Sequence, residues 1–241
     1  MRHDVFHALK SRDVLALWEA GASSSPDRVM DMLLNVVLPD GSAQWIDEAS
    51  VGQKNVVLLR LCRKWFGSEL SACVECSSCR EKLETSVQID NILAVAEDEL
   101  PEVYTLGDGA QMRFPRYQDM KNTDAFLEKG DAVISLLRSC LVEGEVMDDA
   151  ELLNYQREVE GVIEKYDPLS LISLELQCNA CDTHFESVLD IAFFLLRNFT
   201  ILGQRMLCDV HVLALHYGWR EDEILNMPEV RRRSYMRLIE G

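Results

Sequence analysis

Helix-period segments at both ends, strand-period segments between them and two cysteine-bearing turns among those strands predict an α+β fold. Helical N- and C-terminal parts are expected around a small antiparallel sheet that carries a helical insertion. The expectation is a single domain over 1–241. It is helical over 1–67, carries the first cysteine turn and hairpins over 68–116, and is helical again over 117–167. The second cysteine turn follows over 168–190, and a helical segment closes the chain over 191–241.

The first helix is expected from Ser11, as its cap, through Trp18 to Gly21. Ser25-Pro26-Asp27 combines an N-cap, a proline at the first helical position and an acid in the first turn. Val29, Met32, Leu33, Val36 and Val37 then supply a helical stripe. A third helix starts after Ser50, with Val57, Leu58, Leu61 and Trp65 as its apolar face and Gly67 as its stop.

The period then changes. Leu70, Ala72 and Val74 alternate with Ser71, Cys73 and Glu75, and Leu83 to Ile89 form the return strand after Cys76-Ser-Ser-Cys79. Val103 to Leu106 and Gln111 to Phe114 flank Gly107-Asp108-Gly109 as a second hairpin closed by Pro115. Helices follow from Asp119 to Tyr166, separated at Gly130, with Asp148 or Asp149 capping the one that carries Leu152, Val159 and Ile163. Leu171 to Leu176 and Phe185 to Leu189 are strands around Cys178-Asn-Ala-Cys181. A long apolar helix runs from Ile191 to Tyr217, ends at Gly218, and precedes two short helices divided by Pro228.

Charge and composition narrow the function. The chain has 241 residues, 24 basic and 41 acidic, for a net −17, with 48% hydrophobic and 27% charged residues. That field repels nucleic-acid phosphates and anionic lipid and favours basic protein partners. The start, Met1-Arg2-His3-Asp4, lacks the apolar core of a secretory signal, and Ile191 to Leu196 falls short of the roughly 20 apolar residues of a membrane span. A reducing, cytoplasmic compartment is therefore expected. Eight cysteines there point to metal binding or buried thiols rather than disulfides.

The two cysteine turns form a weak repeat. Both have Cys-x-x-Cys spacing, both put an apolar residue and a glutamate four and five positions after the second cysteine, and both sit between strands. Two copies of strand, turn and strand are the halves of a zinc ribbon, and thiolates in pairs suit the tetrahedral preference of zinc. Cys76, Cys79, Cys178 and Cys181 are therefore the expected ligands of one structural zinc. About a hundred residues separate the pairs, so the segment between them is an insertion stapled at its base. The alternatives are reduced, metal-free hairpins or a redox pair, which needs its first cysteine at a helix N-terminus. Cys73 extends the first pair to an iron–sulfur-like run but belongs to the strand. His184 could replace a thiolate, although a surface histidine is the plainer reading.

Cys62, Cys140 and Cys208 lie in apolar helices and read as core thiols. His211 and His216 share a helix with Asp209 but have no third ligand. Arg231-Arg232-Arg233 reads as a solvated face. No phosphate loop, nucleophile elbow or zinc-protease motif is present, so no enzyme is expected.

Ser50-Val-Gly-Gln-Lys-Asn-Val-Val-Leu-Leu-Arg-Leu, Trp65-Phe-Gly and the first cysteine pair together resemble the T4-type phage baseplate protein family, also found in phage-tail-like contractile injection systems. Cys178 to Cys181, Phe185, Asp190-Ile191-Ala192, the run from Val210-His211 through His216-Tyr-Gly-Trp-Arg-Glu-Asp-Glu-Ile-Leu, and Arg231-Arg-Arg-Ser-Tyr carry the likeness onward. It spans most of the chain and is weakest between Asp90 and Glu160. Family knuckles often read Cys-Pro-x-Cys-Gly, whereas Arg80 and Asp182 hold the glycine positions here, where freedom at positive φ matters. The resemblance implies a non-enzymatic structural or assembly role at the baseplate hub. It implies contacts with hub, spike, tube or other baseplate proteins and no nucleic-acid or membrane partner. The protein would be cytoplasmic during assembly, or part of the finished phage or injection-system particle. A zinc-ribbon regulator or nucleic-acid binder is the alternative.

Overall fold

A computed structural model describes residues 6–39, 42–96, 100–107, 109–123, 128–143 and 148–240. Mixed helix and small antiparallel sheets make it an α+β protein, as the pattern predicts. It divides into two compact units, one of residues 1–43 and 192–241 and the other of 44–191.

The first unit is helical: α1 (Ser11–Gly21), α2 (Pro26–Val37), most of α9 (Ile191–Tyr217), α10 (Glu221–Asn226) and α11 (Glu229–Glu240). Its core gathers Val14, Leu15, Met206, Leu213, Ile224 and Leu225. Gly203 lets α1 lie close, since a Cβ there would stand 2.7 Å from Trp18 Cγ. Ser25 caps α2 as expected, accepting from the Arg28 N–H at 3.4 Å. Its buried stripe, however, is Val29, Met30, Leu33, Leu34 and Val37, while Met32 and Val36 are exposed. Ser11 is not a cap. Asp13 accepts from the Lys10 N–H in that role, and the Ser11 hydroxyl accepts from Arg232 at 3.2 Å.

Arg232 itself departs from the solvated face expected of the arginine run. It is buried, with Nε 3.1 Å from Asp209 Oδ2. Cys208 departs too, lying exposed on α9. The apolar stretch is longer than Ile191–Leu196. All 27 residues of α9 form one helix that is, by length and composition, apolar enough to cross a bilayer, with mean hydropathy 1.2 over its most apolar 18 residues. Gly218, at φ 69°, ends it as expected.

In the second unit, most of α3 (Ser42–Glu48), which the sequence pattern did not reveal, precedes α4 (Val51–Phe66). Strands β1 (Glu69–Glu75) and β2 (Lys82–Gln88) form the first hairpin, followed by α5 (Ile89–Leu93). Strands β3 (Tyr104–Thr105) and β4 (Gln111–Met112) form the second hairpin around the glycine turn; Asp108 lies outside the described residues. Next come α6 (Tyr117–Asn122) and α7 (Lys129–Cys140). Gly130 sits in the first turn of α7 rather than between helices. An unexpected strand, β5 (Leu141–Glu143), then joins β4 as the third strand of that sheet. Helix α8 (Asp149–Tyr166) carries a reciprocal cap, with the Asp148 carboxylate accepting from the Glu151 N–H and the Glu151 carboxylate accepting from the Asp148 N–H, both at 2.9 Å. A 3₁₀ turn (Pro168–Ser170) leads to β6 (Ser173–Gln177) and β7 (His184–Val188). Tyr104, Met112, Phe114, Leu137, Leu152 and Val159 form the core beneath β3–β5.

Two polar contacts fix this unit. Ser50 caps α4 by accepting from the Gln53 N–H at 3.1 Å. The buried Asp167 carboxylate reaches the same helix end and accepts from the Gly52 N–H at 3.1 Å. Burial pushes the Asp167 carboxyl up, against the pull of the Gly52 N–H and the Ser50 hydroxyl. A Cβ on Gly52 would stand 2.6 Å from Asp167 Cγ and 2.9 Å from the Ser170 nitrogen, which accounts for the glycine. The second contact is a two-pronged pair of Arg113 with Asp119, at 2.6 and 2.8 Å. Burial raises the Asp119 carboxyl, but the Arg113 fork and the Arg116 N–H outweigh it and hold the group below its usual range.

Gly52→Ala is expected to destabilise the protein by about 2 kcal/mol in chemical denaturation, through overpacking at the α4 end. Asp119→Asn is expected to cost about 2 kcal/mol at neutral pH. Because the folded carboxyl titrates below the unfolded one, that difference is complete above pH of about 4 and fades as pH falls through the folded value. Denaturation curves of both proteins from pH 7 to 2 check it.

Candidate metal centre

The two cysteine turns cap the hairpins β1–β2 and β6–β7. In the first hairpin, alternation puts Leu70, Ala72 and Val74 beside their partners Val87, Thr85 and Leu83 on one face. Glu69, Cys73, Glu75 and Glu84 lie on the other face and are exposed. In the second, Leu174 pairs with Ser187 and Leu176 with Phe185 on the half-buried face.

Each turn is built by the same backbone pattern. The Cys76 N–H donates to the Glu81 carbonyl at 2.8 Å and the Arg80 N–H to the Cys76 carbonyl at 3.1 Å. In the second turn, the Cys178 N–H donates to the Thr183 carbonyl at 3.0 Å and the Asp182 N–H to the Cys178 carbonyl at 2.9 Å. The residue after the second cysteine is left-handed in both copies, Arg80 at φ 65° and Asp182 at φ 55°. They are the only non-glycine residues with positive φ among those described. Arg80 and Asp182 thus adopt the conformation that glycine would supply, and the knuckle forms without it.

The consequence is convergence of all four thiols. Cys76 Sγ lies 3.8 Å from Cys181 Sγ, and Cys79 Sγ lies 3.6 Å from Cys178 Sγ, pairs separated by 105 and 99 residues in sequence. All four sulfurs fall within 4.8 Å of one another. A tetrahedral thiolate site with metal–sulfur bonds of about 2.3 Å has sulfur–sulfur edges of about 3.8 Å. The donor set, the count and the spacing therefore fit one tetrahedral cation. Cys76 and Cys178 are buried, whereas Cys79 and Cys181 are exposed, so the site has a dry side and a wet side.

Protons are distributed unequally over this cluster. The Cys79 and Ser78 backbone N–H groups draw the Cys76 thiol down, the latter at 3.4 Å from the sulfur. The Thr183 hydroxyl, 3.2 Å from Cys181 Sγ, and the Thr183 N–H lower Cys181 to about 6. The Glu81 N–H favours a Cys79 thiolate, but the hydrogen bond Cys79 gives to Cys181 and its desolvation outweigh it, pushing this thiol up to about 12. Four like charges at this separation repel, and a divalent cation among them removes the conflict by displacing the remaining protons. Thr183 and Glu81 are the supporting residues that the sequence reading did not single out. Their equal offset of two from the second cysteine of each pair is the signal that could have found them.

The other candidates do not converge here. Cys73 is exposed on β1 opposite Glu84, away from the four sulfurs. His184 is exposed at the start of β7 opposite Gln177. Neither pair stands at a helix N-terminus, the setting thiol–disulfide exchange needs. Cys62 and Cys140 are core thiols, pushed up to about 12 and about 11 mainly by burial. His211 and His216 are exposed, and His216 Nδ1 is spent on the Val212 carbonyl at 3.0 Å.

Comparison with known proteins gives a family match. The model of the family described as T4 bacteriophage base plate protein aligns with residues 9–191, a span that contains both knuckles and stops short of the likeness read from Val210 onward. No curated protein and no solved structure matches.

Cys178→Ser is expected to lower the melting temperature by several degrees and to abolish the response to a strong chelator that the unaltered protein shows. Thermal unfolding of both proteins with and without chelator measures this. Equal melting of the unaltered protein under both conditions would mean metal-free hairpins.

Proposed function

The chain belongs to the T4 bacteriophage base plate protein family, and from that premise we propose that it is a non-enzymatic structural or assembly component of the baseplate of a contractile phage tail or phage-tail-like injection system. Its stapling ion is one structural Zn²⁺ on Cys76, Cys79, Cys178 and Cys181. When bound, the ion supplies folding free energy rather than chemistry. Four thiolates leave no open position for a substrate or activated water.

The observation that carries this reading is the family match over residues 9–191 with both knuckles inside it. Charge supports the choice of partners. A net −17 suits basic faces on hub, spike, tube or other baseplate proteins and opposes nucleic acid and anionic membranes. The alternative of a zinc-ribbon regulator or nucleic-acid binder calls for a localised basic face, and the middle arginine of the Arg231–Arg233 run is buried against Asp209. Assembly takes place in the cytoplasm, and the protein acts there or in the particle that results.

Deleting the gene is expected to abolish assembled baseplates, and the tagged protein is expected to co-purify with hub, spike or tube proteins. Normal particle numbers after deletion would remove the role. Mass spectrometry of purified particles beside assembly intermediates separates residence in the particle from action in assembly only. Independently, protein purified without added zinc is expected to contain close to one zinc per chain by elemental analysis.

A further inference from the structure

Four sulfurs that fit one cation can also bond to one another, and four cysteines allow three pairings. They can join within each knuckle, crosswise between the hairpins, or buried to buried and exposed to exposed. The geometry favours the crossing. Cys76 Sγ touches Cys181 Sγ at 3.8 Å and Cys79 Sγ touches Cys178 Sγ at 3.6 Å, and these two contacts use each thiol once. Reaching the bonded distance of about 2.05 Å asks each sulfur to move by about 0.9 Å. Pairing within a knuckle has to bend a turn that is already pinned. The Cys76–Glu81 and Arg80–Cys76 hydrogen bonds pin one copy, and Cys178–Thr183 and Asp182–Cys178 pin the other. Pairing by burial needs Cys76 to bond Cys178, and both are closed off from solvent.

Exposure supplies the order of events. Each crossing contact joins an exposed sulfur to a buried sulfur of the opposite hairpin, so a peroxide meets Cys79 and Cys181 first. The exposed thiol takes one peroxide oxygen and becomes a sulfenic acid, as the O–O bond breaks and one water leaves. The buried partner then attacks that sulfur. The S–S bond forms, and the sulfenic oxygen leaves as a second water. Each pair gives two electrons to one peroxide. Where a divalent cation holds the thiolates, it leaves with its charge unchanged, and solvent supplies the protons for the waters.

We propose that Cys76–Cys181 and Cys79–Cys178 are two peroxide-oxidisable pairs, through which the centre converts from a metal-held staple to a covalent one. The hairpins stay joined in either state, because the bonds link residues 105 and 99 apart in sequence. Bonds within the knuckles would let them part. The proposal rests on the cysteine cluster alone, and the baseplate role does not enter it.

The test uses full-length protein with Cys73→Ser and Cys208→Ser, which removes the exposed thiols outside the cluster. The unsubstituted protein serves instead if circular dichroism changes in the variant. The protein is treated as purified with hydrogen peroxide, unfolded and alkylated, and its disulfide-linked peptides are sequenced by electron-transfer fragmentation. Links 76–181 and 79–178 are expected, with Cys62 and Cys140 alkylated. In chelator, the oxidised protein is expected to melt several degrees above the reduced protein, and dithiothreitol is expected to erase the difference. Links within the knuckles, links 76–178 with 79–181, or bonds between chains would overturn the proposal. So would sulfinic acids at Cys79 and Cys181 without a disulfide, or four cluster thiols still open to alkylation after peroxide. The map is read whatever the zinc content, so elemental analysis tests the zinc reading separately.

Discussion

Four sulfurs, supplied by two hairpins about a hundred residues apart, meet within a span that one tetrahedral ion fills. This convergence is the constraint on which the 44–191 unit depends. Neither two-stranded hairpin is long enough to be stable alone. A cross-link closing a loop of this length also removes on the order of 4 kcal/mol of unfolded-state entropy. The hairpins hold the sulfurs by fixing two knuckle turns, and the bound ion would in turn hold the hairpins together. The segment between them then returns to its starting point, as seen at α4, where Ser50 and Asp167 cap one helix end across more than a hundred residues.

The unequal acidity of the thiols connects this geometry to behaviour. Backbone N–H groups and the Thr183 hydroxyl favour the thiolate at Cys76 and Cys181, while contacts with the neighbouring thiols and desolvation favour the protonated thiol at Cys79. A cation bound there would displace protons, and such a staple would weaken as the solution becomes acidic. With two of the thiols buried and two at the surface, an ion held there would be anchored on its inner side and reachable on its outer side.

Much of this was legible in the sequence because it rests on local rules. Ser25, Ser50 and Asp148 cap helices, Gly67 and Gly218 end them, and the period-two alternation around each Cys-x-x-Cys fixes strand, turn and strand. Where the pattern misled, tertiary packing had decided. Met32 and Val36 share helical spacing with buried residues, yet the neighbouring residues Met30 and Leu34 face the core instead. Ser11 looks like a cap but is drawn to Arg232, and Arg232 looks solvated but is buried against Asp209. Strand β5 is three residues long, too short to show a period and formed only because β4 offers an edge. Cys208 lies in an apolar run because α9 is apolar on its outward side as well as its inward one. The positive φ at Arg80 and Asp182 was flagged by the glycine that the resembled family's knuckles carry there, whereas the Thr183 contact left only its offset from the second cysteine as a sign.

X-ray absorption at the zinc edge, on protein purified without added metal, probes the centre most directly. The account predicts a first shell of four sulfurs at about 2.3 Å and no nitrogen or oxygen. An absent zinc signal, or a shell in which nitrogen or oxygen replaces sulfur, would contradict it.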